Sequence, residues 1–523
     1  MSTTARRAAQ AKNWPQVKLC AREILSRSRD SAEGYFLLGL AESASQQRES
    51  AVKALTRALQ LDERRYDAAV ELASLQMRAN RYGEAVALLE QHSVNMQGSP
   101  KYLDMAGSIY VHAGQPENAW PLYKRANELQ PGVHSLMANF AACSVYVGKI
   151  DEAKQIYRNC LQKFPQHQRH HYELSRLSTA RDTAHIDEME AILQSSQLSP
   201  EKNVYLYYAL GKELEDLERW DEAFIYFEKA GKAALSVSDY DVGIDVELID
   251  KMIEVCSPAW LADGAVGPAT DNKTPIFIVG LPRTGTTLTE RILSCHSMVE
   301  SVGESYFIQI AIKEASRVLS HEHMTAAMVE AAASKDIQRI AKSYTNAIKY
   351  RFGDKPFYIE KFPENFLYLG FIAKAFPNAK IIHLNRNPMD SCFAMFKQSF
   401  FRYAYSLDDL GPYFSAYHRL HNHWKELLGE QLIEVHYEEL VGDQEDTTRR
   451  LLAALGLDFE EACLHFEDNV NASNTASTVQ IRQKIHTRSV NRWKCFEKQL
   501  QSLKRYLEDA GIPLSEDQSG RVN

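Results

Sequence analysis

Pro275-Ile-Phe-Ile-Val-Gly-Leu-Pro-Arg-Thr-Gly-Thr-Thr-Leu288 decides how the second half of the chain is read. A short apolar strand, Ile276 to Val279, runs into a glycine-bounded loop, and a helix begins near Gly285. A loop of this kind turns several backbone N–H groups toward one point, and the helix N-terminus adds its partial positive charge. The product is an anion cradle suited to phosphate.

The spacing from Gly280 to Gly285 is that of a Walker loop, but the next pair is Thr286-Thr287 and not Lys-Thr. The cation stands upstream, at Arg283. Loss of the Walker lysine argues against ordinary nucleoside-triphosphate hydrolysis and against a P-loop kinase, while the cradle remains. Further apolar runs follow: Phe357-Tyr-Ile, Lys380-Ile-Ile-His-Leu384 and Leu432-Ile-Glu-Val435. Helical patterns separate them, notably Ala311 to Tyr350 and Phe366 to Phe376. Strands alternating with helices predict a parallel sheet covered on both faces, with ligands at the carboxyl ends of its strands. Arg283, Lys361, Arg386 and Tyr437 follow those ends.

Working back from the loop, residues 257–273 have linker composition, with Pro258, Gly264, Gly267, Pro268 and Asp271. The first half, 1–256, reads as a helical repeat array. Small residues recur every 34 positions at Gly39, Ala73, Gly107 and Ala141, and a second series keeps the step at Ala51, Ala85, Ala119 and Ala153. Tyr123 and Tyr157 repeat it, as do Pro131 and Pro165, which are expected to end the second helix of their units. The pattern resembles the tetratricopeptide repeat over roughly 31–165. Residues 166–198 match poorly, and Gly211, Ala223, Phe227 and Ala230 restore the pattern. Asn13 to Asp30 reads as a partial first unit or cap. The expected fold is therefore an α-solenoid of tetratricopeptide type followed, over 274–523, by an α/β P-loop-like domain with a parallel sheet. Such arrays curve into a groove that holds an extended peptide, or they support the rest of the chain or self-associate.

With 60 basic and 68 acidic residues the net charge is -8, which excludes a broad basic surface for nucleic acid. The eight cysteines show no CxxC spacing, and several fall on apolar helix faces, where they read as buried reduced thiols. The first ten residues lack the apolar core of a signal peptide, and no run of about twenty apolar residues spans a bilayer. A cytoplasmic protein without membrane association is expected.

Pro282-Arg-Thr-Gly-Thr-Thr287 resembles the 5′-phosphosulfate loop of sulfotransferases that use 3′-phosphoadenosine-5′-phosphosulfate (PAPS). Leu384-Asn-Arg-Asn-Pro-Met-Asp-Ser391 resembles that family's second motif, in which an arginine after a strand grips the 3′-phosphate. Gly303-Glu304 together with the loop arginine is similar to the tyrosylprotein sulfotransferases, where small-molecule enzymes usually carry a loop lysine and a histidine base. The resemblance implies PAPS as co-substrate, no metal, and a hydroxyl acceptor, with protein or peptide tyrosine first and a carbohydrate or small metabolite second. It implies Arg283, Thr284, Gly285, Thr286 and Thr287 at the 5′ end of the cofactor, Arg386 and Ser391 at the 3′-phosphate, and Tyr437 nearby. Glu304 is implied as the base, with Arg283 and Lys361 facing charge on the leaving oxygen.

Each role has a structural alternative. Glu304 in Gly-Glu-Ser could cap the following helix, His296 is an alternative base, and Tyr437 could be core. The family commonly places serine at the position of Ala394; Ser391, Lys397 and Ser399 are candidates to compensate. The basic segment Gln480-Ile-Arg-Gln-Lys484, before Trp493, lies where the family closes over the cofactor, which makes Arg482 and Lys484 candidate ligands. A repeat scaffold with an inactive sulfotransferase-like domain is the remaining reading.

Overall fold

In a computed structural model, the described residues are 1–92, 98–195, 199–263, 273–318, 324–469, 482 and 484–514. Most of the expected linker, 264–272, lies outside them, as do Gln480, Ile481 and Gln483. The chain divides into a unit over Met1–Ile156 and a second that begins at Tyr157.

The first unit is built of paired helices: Ala32–Ala44 packs on Arg48–Leu61, Tyr66–Met77 on Tyr82–His92, and Pro100–His112 on Pro116–Leu129. The residues of the two phased series explain the pairing. Ala51, Ala85, Ala119 and Ala153 are all fully buried. A Cβ on Gly107 would sit 2.9 Å from the ring of Tyr123, so the small residue makes room for the repeating tyrosine of the partner helix. Pro131 lies two residues past the end of its helix at Leu129, as expected of a residue that cannot continue a helix.

In the second unit, five parallel strands are ordered β2-β3-β1-β4-β5: β1 Thr274–Gly280, β2 Val299–Gly303, β3 Phe357–Lys361, β4 Lys380–Asn385 and β5 Leu432–His436. From β1 the chain goes first to one side of the sheet, and β4 and β5 are added on the other. The strand order therefore reverses beside β1, between β1 and β4, where an open α/β sheet leaves a crevice. Ile276 to Val279 are fully buried, as a central parallel strand covered on both faces requires. One face packs Ile276, Ile278, Ile359 and Ile382 against Ile292 and Leu293 of the helix Thr286–Ser294 and against Leu451 and Leu455. The other carries an aromatic group in which Phe277 lies 5.9 Å from Tyr344 and 6.1 Å from Phe376.

The strand β2 is not among the four apolar runs of the sequence. Val-Glu-Ser-Val-Gly is an edge strand in which Glu300 and Ser301 interrupt the apolar residues, Glu300 accepting the Gly353 N–H at 3.0 Å. The Ala311–Tyr350 pattern resolves into Phe307–Ser316, Ala326–Ala333 and Ile337–Ile348.

Helices before residue 257 belong to this unit. The phase-breaking stretch forms Gln168–Leu177 and Ala184–Ser195, followed by Val204–Asp216, Trp220–Leu235 and Val242–Val255. Phe224 stacks on Phe396 at 5.6 Å, and a Cβ on Gly231 would meet the Tyr405 carbonyl oxygen at 2.1 Å. Glu215 takes Lys397 at 2.7 Å and Arg492 at 3.1 Å. Lys397 is thereby committed to an ion pair and does not stand in for a serine at 394.

Burial pushes the Glu215 carboxyl up, but Lys397 and then Arg492 outweigh it and hold it below its usual 4.5. A group depressed on folding adds stability that is fully present above pH 4.5 and is lost as pH falls through the folded value. Glu215→Ala should therefore cost about 3 kcal/mol at neutral pH in urea unfolding, because it leaves Lys397 without its partner. The deficit should shrink in acid. A loss below about 0.5 kcal/mol would make the pair a surface contact.

Candidate functional site

The loop leaves β1 at Gly280, whose φ of 140° and 2.5 Å approach of a built Cβ to the Leu384 carbonyl require glycine. Gly285, at φ 101°, is the N-cap of the helix Thr286–Ser294, and a Cβ there would strike the ring of Tyr437 at 2.7 Å. Arg283 is held at φ 70°, a conformation that costs a non-glycine residue about 1–3 kcal/mol and marks functional loops. The Thr284 hydroxyl donates to the Leu281 carbonyl at 2.7 Å. It braces the loop, so what Thr284 offers an anion is its backbone N–H. Thr286 and Thr287 occupy the first turn, whose N–H groups have no acceptor within the helix.

Arg386 follows β4 across the crevice. Its Nη1 donates to the Arg283 carbonyl at 2.8 Å, its Nη2 donates to the Ser489 carbonyl at 2.6 Å, and its guanidinium lies 4.7 Å from the ring centre of Tyr437. Its Nε is buried and has no hydrogen-bond partner among the described residues. Tyr437 is thus wedged between the loop glycine and Arg386 and is not simply core. Asn387 caps the next helix, Pro388–Phe396, accepting from Met389 N–H at 3.0 Å. Ser391 is buried in that helix with its Oγ 3.5 Å from the Arg386 carbonyl. Asp390 receives the backbone N–H of Asn491 at 2.6 Å and of Trp493 at 3.0 Å, which ties the late segment down beside Arg386. Arg482 is near enough to Arg291, in the second turn of the loop helix, for that charge to add to burial in lowering its pKa.

Lys361, fully buried at the end of β3, pairs with Glu304, and Glu290 of the loop helix lies 3.7 Å away. Burial pushes the Glu304 carboxyl up, Lys361 pulls it back, and Glu290 pushes it up again; the outcome lies above the usual 4.5. The alternative of Glu304 as a helix cap is not what forms. The Ser305 hydroxyl, 3.4 Å from the Phe307 N–H, serves the helix start, and it donates to buried Glu360 at 2.6 Å. Glu360 is itself pushed up to about 7 by burial. Arg351 Nη1 fixes the Val302 and Glu304 carbonyls at 2.8 and 2.9 Å.

His296 is excluded as the base. Its Nε2 bonds the Asp458 carbonyl at 3.0 Å and its Nδ1 accepts from Met298 N–H at 3.1 Å. It precedes β2, whose first residue pairs with the first residue of β3, so it sits at the amino edge of the sheet while the site occupies the carboxyl edge.

Sequence reasoning missed a contribution from the phase-breaking helices. Burial, then the neighbouring charges of Arg176 and Arg386, push the Arg283 guanidinium down to about 10, which leaves it charged at neutral pH. Arg176 belongs to Gln168–Leu177, donates to Glu173 at 3.1 Å and stands 5.4 Å from the ring of Tyr172. Tyr172 also acts on Arg283, and its hydroxyl accepts from Ser399 Oγ at 3.1 Å. Ser399 is therefore engaged with the helical segment. On the Glu304 side, Glu364 is pushed up to about 7 by burial and by the charges of Glu304 and Asp245. The clue was available only negatively: 166–198 departs from the repeat because its residues serve another purpose.

Residues 275–461 match the model of the Sulfotransferase family, and residues 43–109 match the Tetratricopeptide repeat. The chain thus carries a sulfotransferase-family domain on a five-stranded parallel sheet, preceded by tetratricopeptide-type helical repeats. An uncharacterized protein of Aquifex aeolicus is 27% identical over 425 residues, covering 79% of this chain and 56% of the relative. A protein-tyrosine sulfotransferase of Drosophila melanogaster is 23% identical over 231 residues, covering 42% of this chain and 46% of the relative. The chain spans about half the length of these curated relatives. Among solved structures, the sulfotransferase domain from the Synechococcus PCC 7002 olefin synthase is similar at 20% identity and a TM-score of 0.35, covering 48% of this chain and 100% of that one. Among the described residues, no helix is long and apolar enough to cross a membrane.

Proposed function

We propose that the chain transfers a sulfuryl group from PAPS to an acceptor hydroxyl, with protein or peptide tyrosine as the first acceptor class. The observation that carries this reading is Arg386. A half-buried guanidinium whose buried Nε has no partner among the described residues faces the loop across the switch point, where an anion would complete its bonding. Free N–H groups at the start of Thr286–Ser294 supply a second anion position. Two phosphate sites suit a nucleotide phosphorylated at both ends, so the residues present fit PAPS.

When bound, PAPS supplies the sulfuryl group and a phosphate leaving group. Glu304, raised above the ordinary carboxylate range, accepts the acceptor hydroxyl's proton at Oε1 or Oε2. Arg283 and the loop N–H groups hold the 5′ end and oppose negative charge as it grows on the leaving oxygen. Lys361 orients Glu304 and lies ready to share that charge. Arg386, with Tyr437 behind it and Ser391 in the next turn, reads the 3′-phosphate. The strap held by Asp390 and Ser489 keeps water from that end, with Arg482 assigned to the same late segment. These roles need no metal. The first unit would offer an acceptor peptide its repeat surface, self-association being the other use of it.

The test is a thermal-shift panel with 3′-phosphoadenosine-5′-phosphate (PAP), ADP, ATP and GTP, followed by labelled PAPS with a tyrosine peptide. PAP should stabilise the protein more than ADP, and Arg386→Ala should erase most of the difference, about 1.5–3 kcal/mol for a charge-assisted contact. Equal shifts with PAP and ADP in the unaltered protein would remove PAPS from the proposal.

A further inference from the structure

A second chemistry-bearing cluster joins the helices of 157–256. His171 Nε2 lies 2.7 Å from the Pro165 carbonyl, His185 Nδ1 lies 2.6 Å from Glu213 Oε1, and His171 Nδ1 faces His185 Nε2 at 2.9 Å. The ring planes are 27° apart and their centres 5.1 Å apart, so the two nitrogens meet edge to edge.

The outer partners decide the tautomers. A carbonyl only accepts, so His171 carries its proton on Nε2. Where a Glu213 carboxylate oxygen accepts, His185 carries its proton on Nδ1. Two neutral imidazoles would then point lone pairs at each other across 2.9 Å, which is repulsive. In that arrangement a cation between the rings, an extra proton or a metal ion, relieves the repulsion, whereas a proton on Glu213 would let His185 Nε2 donate to His171 Nδ1 instead. His171 is 2% exposed, so a proton there would hold its charge away from water. A third ligand is at hand, because one atom each of His171, His185 and Glu188 lie within 4.8 Å of one another. An imidazole whose other N–H is fixed by a carboxylate or carbonyl is the arrangement by which proteins orient metal-binding histidines.

We propose that His171 Nδ1, His185 Nε2 and Glu188 form a site for a divalent first-row cation, zinc first, with Glu213 and the Pro165 carbonyl as its outer supports. Two histidines and a carboxylate are a zinc donor set, and the fourth position is left to water. The ion pins Gln168–Leu177 to Ala184–Ser195 and so steadies the helix that brings Tyr172 and Arg176 to the catalytic loop. Its role is structural, apart from sulfuryl transfer.

The experiment strips the full-length chain with a chelator and titrates it with cobalt(II), then zinc(II). One equivalent of cobalt should bind with the strong visible absorption of a tetrahedral site, and zinc should displace it. His185→Gln should abolish the signal. Glu188→Gln, at an exposed position and so safe for folding, should weaken cobalt at least about 10-fold, and Glu213→Gln by about 10–100-fold. Absence of cobalt uptake by the unaltered chain would show that the ring nitrogens are bridged by hydrogen bonding alone and overturn the site. Uptake unchanged in Glu188→Gln and His185→Gln would place the metal elsewhere and overturn it equally.

Discussion

Glu304→Gln is expected to leave PAP affinity near normal and to slow transfer by about 10²–10⁴-fold, the usual contribution of a positioned general base. The amide keeps the size of the carboxylate and can still accept a hydrogen bond from Lys361, so the ion pair's geometry is the least disturbed feature. What it cannot do is take a proton. Because burial holds the native carboxyl above 4.5, single-turnover rates should rise with pH through a midpoint above that value. That limb should vanish in the variant. The loss should be steeper for an aliphatic hydroxyl than for a phenol, whose proton leaves more easily. His296→Ala should leave the rate nearly unchanged, since both ring nitrogens are occupied at the far edge of the sheet. Full activity in Glu304→Gln would end its assignment as the base.

Much of this site was legible because its parts are local. The 34-residue phase, the glycine-bounded loop and the charged residue after each apolar strand are written in short stretches, and the solenoid and parallel sheet they foretold are both present. The remainder depends on pairings between distant segments. Nothing local in Arg176 marks it as a neighbour of Arg283, and Lys397 was one of three candidates to stand in for a serine at 394 until Glu215 stood opposite it. The edge strand Val299–Gly303 escaped because Glu300 and Ser301 interrupt its apolar residues, and Glu300 is there to meet Lys273 and the Gly353 N–H, segments far from it in sequence. Ala394 remains without a substitute that the structure singles out. Lys397 and Ser399 are committed elsewhere, and Ser391 is close to Arg386 only through the backbone carbonyl.

The composition break at 257–273 suggested a cut there, and a chain beginning at Pro258 should fail to fold. It would strip the sheet unit of Glu215, leaving Lys397 and Arg492 without their carboxylate. It would also uncover Phe393, which packs against Phe227 at 6.4 Å, and Phe396, which stacks on Phe224. Removing one large buried aromatic costs about 3–5 kcal/mol. Two such losses together with a broken buried ion pair reach the whole stability of an ordinary domain, about 5–15 kcal/mol. A chain beginning at Ile150 keeps the helix Ile150–Lys163 and everything after it, and should unfold in one cooperative urea transition while retaining the PAP shift. Gly231→Val in the full chain should reproduce the damage from a single position, because its first side-chain carbon would lie 2.1 Å from the Tyr405 carbonyl. If the chain from Pro258 instead melts cooperatively and binds PAP, the helices of 157–256 are an accessory layer, and neither Arg176 nor Tyr172 is needed to build the glycine-bounded loop.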